Sequence, residues 1–191
     1  MTSLDAIFAP NAIAVIGAST TPGKVGYDIF ANILTGGYKG TLYPVNPAAK
    51  SILSMRAYPT IGEIPDAVDL SIIVLPTGAT LRAVEESVQK GVKAIVIVSA
   101  GFREVGKKGL EVENEIVAIC REAGVRVVGP NCLGVINPLP GVSMNASFSA
   151  RMPSPGNISF ISQSGALCSA VLDFAAYRGF GFSKFISIGN K

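Results

Sequence analysis

Five short apolar runs, at residues 12–17, 40–45, 69–75, 93–99 and 125–128, constrain the fold most. The strongest are nearly continuous in Val and Ile rather than alternating with polar residues. A strand with one wet face alternates. A strand covered on both faces does not, and that covering is typical of parallel sheets flanked by helices. The intervening segments supply the helices. Residues 77–90 place Leu81, Val84 and Val88 at i, i+3 and i+7, with Thr77 as the expected N-cap and Gly91 just past the end. Residues 107–123 repeat the pattern with Leu110, Ile116, Val117 and Cys120, followed by Gly124. The stretch between Pro47 and Pro65 is less regular and reads as loop with at most a short helix. Strands alternating with helices through short connections imply right-handed crossovers, so the predicted fold is α/β with a doubly wound parallel sheet.

The 191 residues are 49% hydrophobic and 15% charged, enough for a buried core. The net charge is +3 and the Lys and Arg residues are scattered, with only Lys107 and Lys108 adjacent, so a nucleic-acid partner is not expected. Residues 1–12 include Asp5 and Pro10 but no basic stretch leading into an apolar core, and no apolar run approaches a membrane span. A soluble, cytoplasmic protein with no membrane partner is expected. Cys120, Cys132 and Cys168 are odd in number and form no CxxC pair, which argues against a disulfide framework or a metal site and for buried thiols.

Beyond Asn131 the texture changes. Residues 133–156 are rich in Pro, Gly, Ser and Asn and read as a linker between a first domain, 1–132, and a second unit, 157–191. That unit begins with a strand at 158–161, turns through Ser-Gln-Ser-Gly, continues as a helix to about Tyr177 and ends with a strand at 184–188. One βαβ unit cannot form a core alone. It is therefore expected to be the incomplete beginning of a second α/β domain, or to dock on the first.

Ligands of doubly wound sheets sit beyond the carboxyl ends of the strands. Those ends read GAS (17–19), VNP (45–47), LPT (75–77), SAG (99–101) and GPN (129–131), all small, polar or Pro residues. Turn chemistry explains any one of them; five together favour a binding crevice. The first loop, IAVIGASTTPGKVGYDIF (13–30), runs from a strand through three glycines into a helix, where backbone N–H groups and the helix dipole favour an anion such as phosphate. It is not a P-loop, because Gly23-Lys24 is followed by Val25, nor a GxGxxG, because Gly17 is followed by Ala18 and Ser19. A nicotinamide dinucleotide further needs an acid closing the second strand, where this chain has Val45, Asn46 and Pro47. A second anion-ready turn, SQSGAL (162–167), admits two readings: phosphate binding at a helix N-terminus, or simple N-capping by Ser162 or Ser164.

In this order and spacing, GASTTPGKVG, YPVNP, SAGF, GPNCLG and SQSGAL resemble the nucleoside-diphosphate-forming acyl-CoA synthetases, typified by ADP-forming acetate-CoA ligase. They are similar, more distantly, to the α subunit of succinyl-CoA synthetase. The resemblance covers essentially the whole chain. It implies a Rossmann-like CoA-binding domain followed by the start of a flavodoxin-like α/β ligase domain. It assigns CoA to Gly17, Ala18, Ser19, Pro22, Gly23 and Lys24, to Asn46 and Pro47, to Lys50 near a CoA phosphate, and to Ser99, Ala100 and Gly101. Asn131 would shape the thioester end of the pocket or simply form a turn. Ser162, Gln163, Ser164 and Gly165 would form one of two helix N-termini that hold a phosphorylated histidine.

The family interconverts acyl-CoA, ADP and phosphate with acid, CoA and ATP through an acyl phosphate and a phosphohistidine. This sequence contains no histidine. The resemblance therefore implies a chain that binds CoA and a small carboxylic acid but does not complete the cycle alone and carries no catalytic residue of its own. ADP or ATP and Mg would be bound by an ATP-grasp β subunit or domain, in an oligomer. The competing class is a non-catalytic CoA-binding regulatory module, as in the family-like portion fused to some protein lysine acetyltransferases.

Overall fold

A computed structural model describes residues 3–191. Helix α1 (Ser3–Phe8) leads into β1 (Ala12–Ile16), α2 (Val25–Thr35) and β2 (Thr41–Val45). A small hairpin of β3 (Ser51–Ile52) and β4 (Met55–Arg56), with a single 3-10 turn at Ile61–Glu63, occupies the stretch expected to be loop. Then follow β5 (Leu70–Ile73), α3 (Thr77–Lys90), β6 (Ala94–Ile97), α4 (Lys107–Glu122) and β7 (Arg126–Val128). The five apolar runs are thus five strands, trimmed at their ends. They form a parallel sheet in the order β2-β1-β5-β6-β7.

Period-two alternation divides the core. Ile13, Val15, Leu70, Ile72, Ala94 and Val96 face one side with Ile29, Phe30 and Ile33 of α2. Ala14, Ile16, Ile73, Ile95 and Ile97 face the other, with Val84 of α3 and Ile116 and Cys120 of α4. Both faces are dry, which is why these strands show no polar alternation.

Two helix expectations need correction. Thr77 does not cap α3: Pro76 holds the N-cap position, and Thr77 Oγ1 donates instead to the carbonyls of Ala100 (3.2 Å) and Gly101 (3.1 Å). In α4 the buried face is Gly109, Glu113, Ile116 and Cys120, while Leu110 and Val117 are 37% and 44% exposed. The true stripe includes a carboxylate, buried because Arg103 Nε meets it at 2.6 Å. A hydrophobicity pattern cannot anticipate that partner.

The expected linker is the larger correction. Within residues 133–156 lie β8 (Gly134–Asn137) and β9 (Met144–Ser147), an antiparallel hairpin whose turn accommodates Pro138, Pro140 and Gly141. With β10 (Pro155–Ser162), α5 (Gly165–Arg178) and β11 (Phe182–Ser187) it builds a second, mixed sheet in the order β10-β11-β8-β9. The hairpin is buried on both faces. Val135, Met144 and Ala146 join the core of the first sheet, and Ile136 packs with Leu172, Phe182 and Phe185 in a separate cluster. Polar clamps fix the seam: Asn32 Nδ2 donates to the carbonyls of Ser147 (2.9 Å) and Ser149 (2.8 Å), and Asn137 Nδ2 donates to that of Phe8 (2.7 Å). The second unit thus docks on the first. Among the described residues, no helix is long and apolar enough to cross a membrane.

Asp69 closes the opposite end of the first sheet. It accepts from Asn11 N–H at 2.9 Å and from Lys93 Nζ at 2.9 Å. Burial opposes its ionisation, but these bonds and the Lys93 charge outweigh burial and hold its pKa below the ordinary aspartate value. A depressed carboxylate stabilises the fold above its unfolded pKa, and that contribution is lost as pH falls through the folded pKa. Asp69→Asn is expected to cost about 1–2 kcal/mol at neutral pH, with solvent screening of Lys93 keeping the figure modest. In urea titrations the deficit should shrink as pH falls below the carboxylate range. A deficit independent of pH would remove the ionic explanation.

A cleft at the switch point of the sheet

The sheet order reverses between β1 and β5, because the chain leaves β1 for β2 on one side and returns to β5 on the other. A cleft of about 600 Å³ opens there, beyond the carboxyl ends of β1, β2 and β5. Its volume suits a nucleotide-sized guest. Gly17, Ala18 and Ser19 form one wall, Asn46 and Pro47 a second, and Leu75 with the first turns of α3 a third.

The wall at Gly17 is built from main chain. Gly17 N–H donates to Val45 O at 3.0 Å and Val74 N–H to Ile16 O at 2.8 Å, so the end of β1 is tied to both neighbours. Its φ of +91° suits glycine, and a Cβ there would strike the Val74 carbonyl oxygen. Gly26, in the first turn of α2, is bare for a related reason: a Cβ would strike the Gly17 carbonyl oxygen. Asn46 braces the same loop, with Nδ2 donating to Ala18 O (2.7 Å) and Oδ1 accepting from Ala48 N–H (2.8 Å).

Further along the loop, Ser19 Oγ accepts from Thr21 N–H at 3.0 Å, and Gly23 N–H donates to Asp28 Oδ1 at 3.3 Å. A carboxylate thus already serves the amino end of α2, and the portion facing the cleft is Gly17 to Ser19. Pro22, Gly23 and Lys24 are exposed on the outer part of the loop, Gly23 at φ +81° with nothing near its Cβ position. Lys50 is exposed on the turn leading into β3. Neither lysine lines the cleft.

The remaining candidates form a second locus. Ser99 O accepts from Asn131 N–H (2.9 Å), and the carbonyls of Ala100 and Gly101 are held by Thr77. Glu104 Oε1 accepts from Gly101 N–H at 2.5 Å and its Oε2 from Asn190 Nδ2 at 2.5 Å. Burial works against this carboxylate, yet the Asn190 and backbone donors hold its pKa below the usual range. Asn131 takes a left-handed φ of +57° after a cis Gly129-Pro130 bond, and its Nδ2 donates to Asn190 Oδ1 at 3.3 Å.

Gly129 N–H then donates to Ile188 O (3.2 Å), and Ile188 N–H to Ser162 O (2.8 Å). One hydrogen-bonded path therefore links the SAG, GPN and SQSG strings. At its end Ser164 caps α5 by accepting from Leu167 N–H at 3.2 Å, and Ser162 Oγ accepts from Ser164 N–H at 3.1 Å. The capping role is realised, and it leaves Gln163 exposed and Gly165 half-buried on the turn.

The cysteines are buried, and burial pushes Cys132 up to about 12 and Cys120 up to about 11, far from thiolate chemistry. Among the described residues no group of three or more His, Cys, Asp or Glu is placed to hold a metal. The sequence reading missed the third wall, where Ala79, Arg82, Ala83 and Glu86 share one face of α3. Their i, i+3, i+4, i+7 spacing was available as a signal; two alanines and two charges simply do not register as an apolar stripe.

Residues 11–138, which build this cleft, match the family model described as a CoA binding domain. The chain belongs to the CoA-binding domain family. Residues 155–191, following that domain, match the succinyl-CoA ligase like flavodoxin domain. The CoA-binding domain and its extension are together similar to ADP-forming acetate-CoA ligase I of Archaeoglobus fulgidus, 46% identical over 98% of this chain and 27% of that protein. They are 44% identical to the α subunit of ADP-forming acetate-CoA ligase II of Pyrococcus furiosus, over 98% of this chain and 40% of the subunit.

Among solved structures, the dinucleotide-forming acetyl-coenzyme A synthetase 1 of Candidatus Korarchaeum cryptofilum, in complex with phosphate and ADP, superposes with a TM-score of 0.93. It is 38% identical over 99% of this chain and 40% of that one. The chain thus spans about a quarter to two fifths of the length of these ligases.

Proposed function

We propose that this chain is the CoA-binding part of an ADP-forming acid-CoA ligase, which converts acyl-CoA, ADP and phosphate into acid, CoA and ATP. The observation that carries this reading is the cleft at the switch point, its wall kept as bare backbone by Gly17, within a matched CoA-binding domain. The nucleotide half of CoA occupies the cleft, with its pyrophosphate at the Gly17 to Ser19 edge. The pantetheine arm crosses the ends of β5 and β6 toward Ser99 to Gly101 and Asn131. The turn Ser162 to Gly165, at the positive end of the 14-residue α5, receives a phosphoryl group. Because the chain has no histidine, the phosphoryl carrier and the ATP-grasp site are supplied by other residues or a β subunit.

Calorimetric titration of the 191-residue chain with CoA, and separately with NAD, tests the reading. CoA binding with no NAD signal is expected; NAD binding, or neither, overturns it. Formation of ATP from acetyl-CoA, ADP and phosphate by the chain alone is expected to be undetectable. The regulatory alternative also fits a chain without histidine; the flavodoxin-like extension from residue 155 argues only against a bare CoA-binding protein.

Charge reversal at Lys24 bears on the loop. Lys24 is exposed immediately before α2, next to the proposed pyrophosphate edge. Lys24→Glu is expected to weaken CoA binding about three- to tenfold, with the difference narrowing in high salt. Unchanged affinity by calorimetry would put the phosphates elsewhere.

A further inference from the structure

We infer that Arg82 recognises a phosphate on the nucleotide half of the bound ligand, and so makes the cleft selective for CoA over its 3′-dephospho form. The inference rests on the reading that this cleft binds CoA. Ala79, Arg82, Ala83 and Glu86 present one stripe of α3 to the cleft. The two alanines leave room against the apolar wall at Leu75, where a purine fits. The two charged residues flank it toward solvent.

Among the described residues, Arg82 is the single cationic residue lining the cleft. Its Nε is held by Glu86 Oε1 at 2.8 Å, one helical turn on. That contact engages the Nε of the guanidinium and leaves its two terminal amino groups for other acceptors; the side chain is 80% exposed. A guanidinium restrained in this way offers paired donors in the geometry that phosphate oxygens accept, which a lysine cannot reproduce.

Among the described residues, the remaining polar side chains on the cleft walls are uncharged apart from Glu86, and most already hold an internal partner, although the Ser19 hydroxyl proton and one Asn46 amide proton stay free to donate. Asn46 is held by Ala18 and Ala48, Ser19 by Thr21, and Thr60 by Glu63. With the pyrophosphate at the main-chain edge of Gly17 to Ser19, the cation on α3 is left for the phosphate on the ribose. The 3′-phosphate is the group that separates CoA from dephospho-CoA.

The test is calorimetric titration of the wild-type chain, Arg82→Gln and Arg82→Lys with CoA and with 3′-dephospho-CoA. The wild type is expected to prefer CoA by about tenfold, the scale of one charge-assisted hydrogen bond. Arg82→Gln should lose that preference by weakening CoA binding alone, and Arg82→Lys should retain part of it. Equal loss for both ligands, or no loss for either, overturns the assignment to Arg82 while leaving the CoA site standing. Failure of the wild type to bind CoA overturns the underlying reading, and this inference with it.

Discussion

Gly23→Val is expected to weaken CoA binding by about tenfold or more in a chain that still folds. Gly23 adopts φ +81°, which is costly for any residue with a Cβ and most costly for a β-branched one, by about 1–2 kcal/mol. Nothing lies within 4 Å of its Cβ position, so the core and the neighbouring elements are not pushed. The strain is relieved by the loop itself. Relief displaces the Gly23 N–H from Asp28 and the Lys24 N–H from Thr21 O, which are 3.3 Å bonds that define the turn into α2. A moved turn carries Lys24 and the outer half of the loop away from the proposed pyrophosphate edge. Circular dichroism and thermal unfolding should remain close to wild type while calorimetry shows CoA affinity lower by that factor. A folded variant that binds CoA with wild-type affinity would remove this part of the loop from the site.

How much of this was legible in the sequence depends on where each constraint lies. The central strands β1, β5 and β6 are buried on both sides, so burial is written directly into their apolar runs, and the strand ends that line the cleft could be read from the pattern. The β8-β9 hairpin was not legible. Its strands are four residues each, and Pro138, Pro140 and Gly141, which serve its turn, are the residues that also mark linkers. Nothing local shows that Val135 and Met144 are buried against the first unit; that comes from docking across more than a hundred residues of chain, through bonds such as Asn32 to Ser147.

The site divides in the same way. Gly17, Ala18, Ser19, Asn46 and Pro47 line the cleft as expected from the strand ends. Ser99 to Gly101 and Asn131 belong instead to the locus around Glu104 and Asn190, because β6 and β7 lie beyond β5 and away from the switch point. Asn190 has no signature as a partner of Glu104, eighty-six residues earlier. Arg82 went unnoticed because an exposed charge on a helix is ordinarily just solvated surface. Only the fold shows that its face of α3 is a wall.

Gly17→Ala is the substitution expected to damage the fold itself. Two costs add at this position. The φ of +91° strains any side chain, and the new Cβ would strike the Val74 carbonyl oxygen, which belongs to main chain and cannot rotate aside. Retreat is blocked from the other side, since α2 already packs the bare Gly26 onto the Gly17 carbonyl. The loop is gripped between β5 and α2, so little of the clash can relax, and about 3 kcal/mol or more of destabilisation is expected. Gly91→Ala separates the two costs. Gly91 has nearly the same φ, +85°, at the C-cap of α3, but nothing lies within 4 Å of its Cβ position. It should lose only the conformational part, about 1 kcal/mol. Chemical denaturation of both variants reads the difference directly. If the two lose equal stability, the close approach of backbone at the switch point is not what selects glycine at position 17, and the bare wall of the cleft must be explained by the ligand alone.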